Sequence, residues 1–325
     1  MALRKLGAVA IGRNEGDRLK DCLRSLVPLC AHVVYVDSGS SDDSVAFARD
    51  LGVSVVELDM GTPFTAARAR NAGFSALVEK APSLDFVQFV DGDCKMAAGW
   101  MEAGVKALGD DPSLGLVTGW RSEMHPGASV YNAMFEVDWH RPAGAIATCG
   151  GDMMVRVEAF RQTGGFNPKV IAAEDDEFCL RLGKTGWRLE RLPLPMTLHD
   201  ADMKSFGSWW KRTTRNGHGF AQVGQMHPAH FRRERLRVWI YGLLFPLLFL
   251  LGLILAWPVS LLVLAAYALS YIRTAHGLSR RGIGQAMALK QSFFLTISKV
   301  PNLLGMLIYH NRRSTGSDMQ IIEYK

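Results

Sequence analysis

An apolar run, Phe86-Val87-Gln88-Phe89-Val90, ends abruptly in Asp91-Gly92-Asp93. Two carboxylates with a glycine between them, where a strand stops, can serve as a turn, because Asp and Gly are common there. They can also hold a divalent cation and a phosphate, since open α/β sheets bind ligands at the carboxyl ends of their strands. Further along, Glu174-Asp175-Asp176-Glu177 sets four carboxylates in a row. Acidic residues suit a helix N-terminus. Four exceed what a cap needs, and their mutual repulsion raises the pKa of one of them.

These residues need elements to position them, and the pattern supplies those. LGAVAIG, HVVYVD, VSVVELDM and DFVQFVD read as strands. Between them, DRLKDCLRSLVPLC places Leu19, Leu23 and Leu26 at helical spacing. SVAFARDLG and TAARARNAGFSALVEKA read as two further helices. Alternation at this spacing predicts right-handed βαβ units and a largely parallel sheet. Three strand ends then converge on one edge of it: Asn14 with Glu15, Asp37, and Asp91 with Asp93. That convergence weighs more than any single Asp-Gly-Asp.

The 325 residues suggest roughly two domains. Residues 1–230 read as a soluble α/β domain, and 231–325 as a membrane-anchoring region. Residues 238–272 carry no charge, which is too long for one crossing of about 20 residues, and Pro258 divides them. The spacing predicts helices over about 238–256 and 258–273, a hairpin that enters the bilayer and returns. Buried core helices would show a polar face, which these lack. Arg232, Arg233, Arg235 and Arg237 precede the run and Arg273, Arg280 and Arg281 follow it. Positive flanks on both sides place both ends in the cytoplasm. A third stretch, 283–310, carries Lys290, Lys299 and Pro301, and reads as an amphipathic helix lying in the interface, with a third membrane helix as the alternative. No cleavable signal peptide is expected. The five scattered cysteines, without a CxxC pair, are expected to be reduced thiols. The net charge of +6 clusters around the apolar run, so anionic lipid is the expected partner and nucleic acid is not.

Taken in order, IGRNEGDRLKDCLRSL, VVYVDSGSSDDS, ARARNAG, FVDGDC, CGGDMMVRVEAFRQTGGF and AEDDEFCLRLGKTGW resemble the motifs of the family 2 glycosyltransferases over about residues 7–220. The resemblance implies a GT-A fold, Rossmann-like with a mostly parallel central sheet, followed here by the membrane hairpin and interfacial helix. It implies an inverting sugar transfer from a nucleoside diphosphate donor, with UDP favoured over GDP by frequency in the family. The tail HNRRSTGSDMQIIEYK is similar to a bacterial membrane-associated subgroup. The expected location is therefore the bacterial cytoplasmic membrane, with the catalytic domain on its cytoplasmic side. The expected acceptor is a lipid-linked sugar or glycolipid in surface polysaccharide assembly.

The resemblance also assigns roles. Asp91-Gly92-Asp93 looks like the DXD motif, with Asp93, Asp91 and His199 as the metal candidates and Asp200 as the fallback for the histidine. Hard oxygen ligands suit Mn²⁺ or Mg²⁺. Arg13, Asn14, Glu15 and Asp37 match the nucleotide-facing turns, with Ser38 where the family has a second aspartate. Arg70 would meet the diphosphate, or lie on a solvated helix face. Gly151 would let backbone approach the sugar, and Asp152 would bond donor hydroxyls or cap a strand. Asp175 is expected to be the general base, with Glu174 contacting the sugars; a register shift to Asp176 or Glu177 stays open. Trp209, Trp210, Arg212 and Arg215 suit the membrane interface, or a lipid-linked diphosphate. Two alternatives remain: transfer directly onto polyprenyl phosphate, and a non-catalytic nucleotide-sugar-binding membrane scaffold. A processive synthase is disfavoured because no QxxRW motif occurs.

Overall fold

The computed structural model describes residues 2–323. The chain divides into two compact units. One contains the residues up to His125 together with Phe135–Asp202, and the other contains Pro126–Met134 together with Met203 onward.

The first unit opens with β1 (Leu6–Gly12), α1 (Asp17–Leu26), β2 (His32–Asp37), α2 (Ser44–Asp50), β3 (Ser54–Glu57), α3 (Ala66–Lys80) and β4 (Phe86–Asp91), matching the expected alternation. It continues with β5 (Cys94–Met96), α4 (Trp100–Asp110) and β6 (Leu114–Glu123). After the break come the end of α5 (Val130–Trp139), β7 (Gly144–Ala145), β8 (Met153–Arg156), α6 (Val157–Thr163), α7 (Glu174–Lys184) and β9 (Arg188–His199). The sheet order is β3-β2-β1-β4-β8-β6-β9-β5, with β7 on β9.

The sheet is parallel across β3-β2-β1-β4 and again between β6 and β9. Around β8, β5 and β7 it turns antiparallel, so it is more mixed than the "mostly parallel" expectation. The reason is connectivity: β8 reaches its place after a long excursion rather than through a single crossover helix, and only parallel neighbours require such a crossover. Strands β1 and β4 read as near-continuous apolar runs because helices cover both faces. Val9, Val34 and Phe89 face one core with Phe160 and Phe178, while Ala8, Tyr35 and Val90 face the other with Leu23 and Trp100. Gln88, fully buried in β4, is not an orphan: its Oε1 accepts from Trp100 Nε1 at 2.8 Å, and its Nε2 donates to the Phe89 carbonyl at 2.7 Å.

The second unit contains α8 (Phe206–Met226), α9 (Arg232–Val238), α10 (Phe245–Leu255), α11 (Trp257–Ser279), α12 (Gln285–Ile297) and α13 (Lys299–Thr315). Its longer segment starts at Met203, before the change of composition near residue 230, because α8 packs on α13. Their backbones touch: a Cβ on Gly217 would lie 2.0 Å from the Asn302 carbonyl oxygen, and one on Gly305 would lie 1.9 Å from that of Thr214. Between α9 and α10, residues Trp239–Leu244 wind as a π-helix. Pro246 has no N–H for the carbonyl four residues back, and a widened turn accommodates the loss.

Three helical stretches are long and apolar enough to cross a membrane: Arg232–Leu255, Trp257–Ser279 and Gln285–Thr315. The first two match the expected hairpin with longer ends. Ile254, Leu255 and Leu262 are 80%, 78% and 70% exposed, and such faces suit lipid. The third, a 31-residue stretch, covers the region 283–310 expected to form an amphipathic or third helix. Pro301 does not break it, since it falls in the first turn of α13, where a missing N–H costs nothing.

Candidate active site

Strand β4 delivers Asp91 to the sheet edge, where both carboxylate oxygens are taken by arginines. Oδ1 accepts from Arg70 Nη2 at 2.7 Å, and Oδ2 accepts from Arg121 Nη2 at 3.1 Å. Burial alone would raise its pKa, but the two guanidiniums outweigh that and hold it below the usual carboxylate range. Arg70, on α3, is 2% exposed, so it is not a solvated helix face. Its other nitrogen, Nη1, donates to Glu174 Oε1 at 2.7 Å. One buried guanidinium thus joins the end of β4 to the first residue of α7.

Asp152 sits beneath this pair, 1% exposed. It accepts from the Asp91 N–H at 3.0 Å, from Arg121 Nε at 2.9 Å and from Thr197 Oγ1 at 2.7 Å. Gly151 sits against the Arg70–Asp91 bond: a Cβ there would fall 2.1 Å from Arg70 Nη2 and 3.4 Å from Asp91 Oδ1. At Gly150 the added carbon would meet only Asp175 Oδ2, at 3.9 Å. Gly151→Ala is therefore expected to displace Arg70 and cost about 1–3 kcal/mol, as overpacking does. Gly150→Ala should leave the thermal unfolding midpoint nearly unchanged, and comparing the two midpoints checks this.

On α7, Glu174 is buried and committed to Arg70, whereas Asp175 is half-buried. Burial, then the charges of Glu174 and Asp176, push the Asp175 carboxyl well above its ordinary range, with Arg70 opposing. The residue before the helix, Ala173, has φ of 57°, a left-handed conformation costing a non-glycine residue of order 1 kcal/mol.

The other turns are self-organised. Asp37 accepts from Tyr35 Oη at 2.8 Å and from the N–H groups of Gly39 and Ser40 at 2.9 and 2.8 Å. Asn14 Oδ1 accepts from the Ser41 N–H at 2.7 Å, while Arg13 lies over the Phe64 ring and Glu15 pairs with Arg18 at 2.8 Å. These bonds lock the β1 and β2 turns to each other.

His199 ends β9, buried, with Nε2 3.3 Å from Asp93 Oδ2 and Nδ1 3.4 Å from Glu123 Oε2. Burial would lower its pKa, but the Asp93 charge and the bonds to Asp93 and Glu123 outweigh it and raise it. Trp139 presents its ring edge-on to His199 at 4.7 Å. Asp93 and His199 offer oxygen and nitrogen donors that fit a divalent cation, and Cys94 brings its sulfur to the same place.

The structure thus gathers Asp91, Asp93, Arg70, Gly151, Asp152, Glu174 and His199 in one unit. Trp209, Trp210, Arg212 and Arg215 lie on α8 of the other unit, where Trp209 is buried between Tyr131 and Phe294. Sequence reasoning missed Arg121, Glu123 and Cys94. A signal existed for two of them: Arg121 and Glu123 stand two apart at the end of the apolar strand LGLVTGW, and so share a face.

Comparison with known proteins agrees with this geometry. Residues 10–162 match the model of "Glycosyl transferase family 2", and residues 117–289, more than half the chain, match "Glycosyl transferase family group 2". The fold and site define a GT-A glycosyltransferase, and the chain belongs to family 2 of that class. A pre-mycofactocin glycosyltransferase of Mycobacterium tuberculosis is 28% identical over 66% of this chain, which spans 47% of that relative. Glycosyltransferase AglE of Haloferax volcanii is 24% identical over 70% of this chain and 77% of its own. The chain thus covers about half the length of the mycobacterial relative. Among solved structures, the mannosyltransferase PcManGT of Pyrobaculum calidifontis, in complex with GDP-Man and Mn²⁺, superposes with a TM-score of 0.58 at 17% identity, covering 92% of this chain and 87% of its own. Residues 1–349 of S. aureus TarS give 0.53 at 14% identity, covering 96% and 92%. At these identities the likeness shows the fold.

Proposed function

We propose that this chain is a metal-dependent, inverting glycosyltransferase of the bacterial cytoplasmic membrane. It would transfer a sugar from a nucleoside diphosphate to a hydroxyl of a lipid-linked sugar or glycolipid. The observation that carries this reading is the Arg70 bridge, which fixes the helix bearing Asp175 to the strand end bearing Asp91 and Asp93. Neighbours of the same fold were solved with GDP-Man and Mn²⁺ and with UDP, which supports a nucleotide-sugar donor.

In this reading Asp175 takes the proton of the acceptor hydroxyl as its oxygen attacks the anomeric carbon, and the nucleoside diphosphate leaves from the opposite face. Asp93 and His199 would hold the cation. Bound there, it would neutralise the charge that develops on the departing diphosphate. Asp91, held by two arginines, keeps the strand end and the base-bearing helix in register. Asp37, Asn14, Arg13 and Glu15 shape the turns that receive the nucleotide. A polyprenyl phosphate acceptor is already ionised and needs no base, so the raised carboxyl of Asp175 favours a hydroxyl acceptor. The long apolar helices favour an acceptor delivered in the membrane.

Calorimetric titration of the detergent-solubilised protein with UDP and GDP, each with Mn²⁺ and with EDTA, tests the reading. One nucleotide is expected to bind, and only with metal. Asp93→Ala should abolish the metal-dependent part of that binding. If neither nucleotide binds the native protein, the donor-site reading falls and Asp91-Gly92-Asp93 reverts to a turn.

A further inference from the structure

The cation site read from the sequence has a carboxylate and an imidazole, and the tertiary structure adds a sulfur. Cys94 and His199 face each other directly across the antiparallel β5–β9 ladder. Opposed residues in such a ladder project from the same face of the sheet. Cys94 Sγ lies 3.6 Å from Asp93 Oδ1, and His199 Nε2 lies 3.3 Å from Asp93 Oδ2. One donor atom from each of the three residues falls within 4.8 Å of the others.

These separations have a chemical meaning. A tetrahedral centre with metal–sulfur bonds of about 2.3 Å and metal–nitrogen or –oxygen bonds of about 2.0–2.2 Å has donor-to-donor edges of roughly 3.3–3.7 Å. The His199 Nε2–Asp93 Oδ2 and Cys94 Sγ–Asp93 Oδ1 distances are each of that size, measured to the two oxygens of one carboxylate, and the three-donor set as a whole closes within 4.8 Å. A second feature points the same way. Glu123 Oε2, which also accepts from the Ala201 N–H at 3.2 Å, stands beside His199 Nδ1 and leaves Nε2 turned to Asp93. Metal-ligating histidines characteristically give their other ring nitrogen to a carboxylate in this way.

We infer that Cys94 is a third ligand of this centre, so that it takes a thiophilic divalent cation of the zinc or cobalt class more tightly than Mg²⁺ or Mn²⁺. The inference rests on reading Asp93 and His199 as a cation site. Thiolate selects softer cations, and divalent affinities already rise from Mn²⁺ through Co²⁺ to Zn²⁺. Ligation replaces the S–H bond by a sulfur–metal bond, and the proton passes to solvent. Three protein donors leave the fourth position of a tetrahedral centre for water or a phosphate oxygen.

The test is a Co²⁺ titration of the detergent-solubilised full chain, followed by absorbance. A thiolate-to-cobalt charge-transfer band should grow and saturate at one cobalt per chain. In Cys94→Ser the band should vanish, and Zn²⁺ affinity should fall at least about tenfold, the lower end of what loss of even an outer-shell partner costs. Mn²⁺ binding, read by electron paramagnetic resonance, should persist through Asp93 and His199. Cys94→Ala repeats the test if the serine variant does not fold. Cobalt bound without the band, a band that survives in both variants, or unchanged zinc affinity would each overturn the inference. Metal-dependent nucleotide binding in the native protein separates the two readings. If it is present without a band, only the cysteine assignment fails; if no divalent cation binds at all, the cation site fails with it.

Discussion

Replacing Asp175 by asparagine is expected to reduce sugar transfer by about 10²- to 10⁴-fold, the range a general base contributes. Metal-dependent nucleotide binding should remain, because Asp175 belongs to α7 and not to the Asp93–His199 pair. The amide keeps the shape of the side chain and loses its basicity. A structural role predicts a different outcome, and the sign of the pKa shift shows why. Burial, Glu174 and Asp176 raise the folded-state pKa of Asp175 above its unfolded value. The native state therefore binds this proton more strongly than the unfolded one. Stability is fullest below the ordinary carboxylate pKa and declines as pH rises through the window up to the raised value. The ionised form of Asp175 is a cost to the fold, so Asp175→Asn should unfold at the same temperature as the native protein or higher. Lost transfer with unchanged or raised stability identifies a base. Normal transfer would move the role to Asp176, since Glu177 is buried with both oxygens on Arg181, and a lowered unfolding midpoint would make Asp175 a structural group. In the native protein, the acid limb of the pH–rate profile should lie above the ordinary aspartate range, because transfer fails once Asp175 is protonated.

Replacing Arg70 by methionine is expected to cost about 3–5 kcal/mol of stability, as removal of one partner from a buried ion pair does. The lower end is favoured. Asp91 keeps Arg121 and is 29% exposed, while Glu174, 8% exposed, loses the guanidinium that holds Oε1. Lysine should rescue little, since a single ammonium cannot span two carboxylates as a planar fork does. A second effect separates this bridge from a generic core residue. Arg70 lowers the Asp175 pKa, so its removal should move the acid limb of the pH–rate profile to higher pH. Thermal unfolding and the profile are measured on the same preparation. A stability loss without that movement would leave Arg70 as a strut alone, with no electrostatic hold on the base.

Much of the fold was legible in the sequence because its signals are local. The apolar runs that became β1, β2 and β4, and the helical spacing of Leu19, Leu23 and Leu26, depend only on neighbours along the chain. The uncharged run divided by Pro258 is equally local, since length and hydropathy decide it. The identities of the carboxylates were legible too, because Asp91, Asp93 and the row from Glu174 each break the pattern around them. The antiparallel turn of the sheet at β8 was not, because strand direction depends on which neighbours meet.

What the tertiary structure alone decided is which charges face one another. Arg70 precedes Asp91 by 21 residues and Glu174 by 104, and no local rule couples positions so far apart. Packing α3 and α7 against one sheet brings them within 2.7 Å, excludes water, and turns a helical arginine into the link between two carboxylate motifs. The same holds for Cys94, one of five scattered reduced thiols in the sequence, which the β5–β9 register sets opposite His199. Sequence periodicity fixes which face of an element is buried; the partner it is buried against is a property of the sheet order, where the ion pairs take their strength from the low dielectric that packing creates.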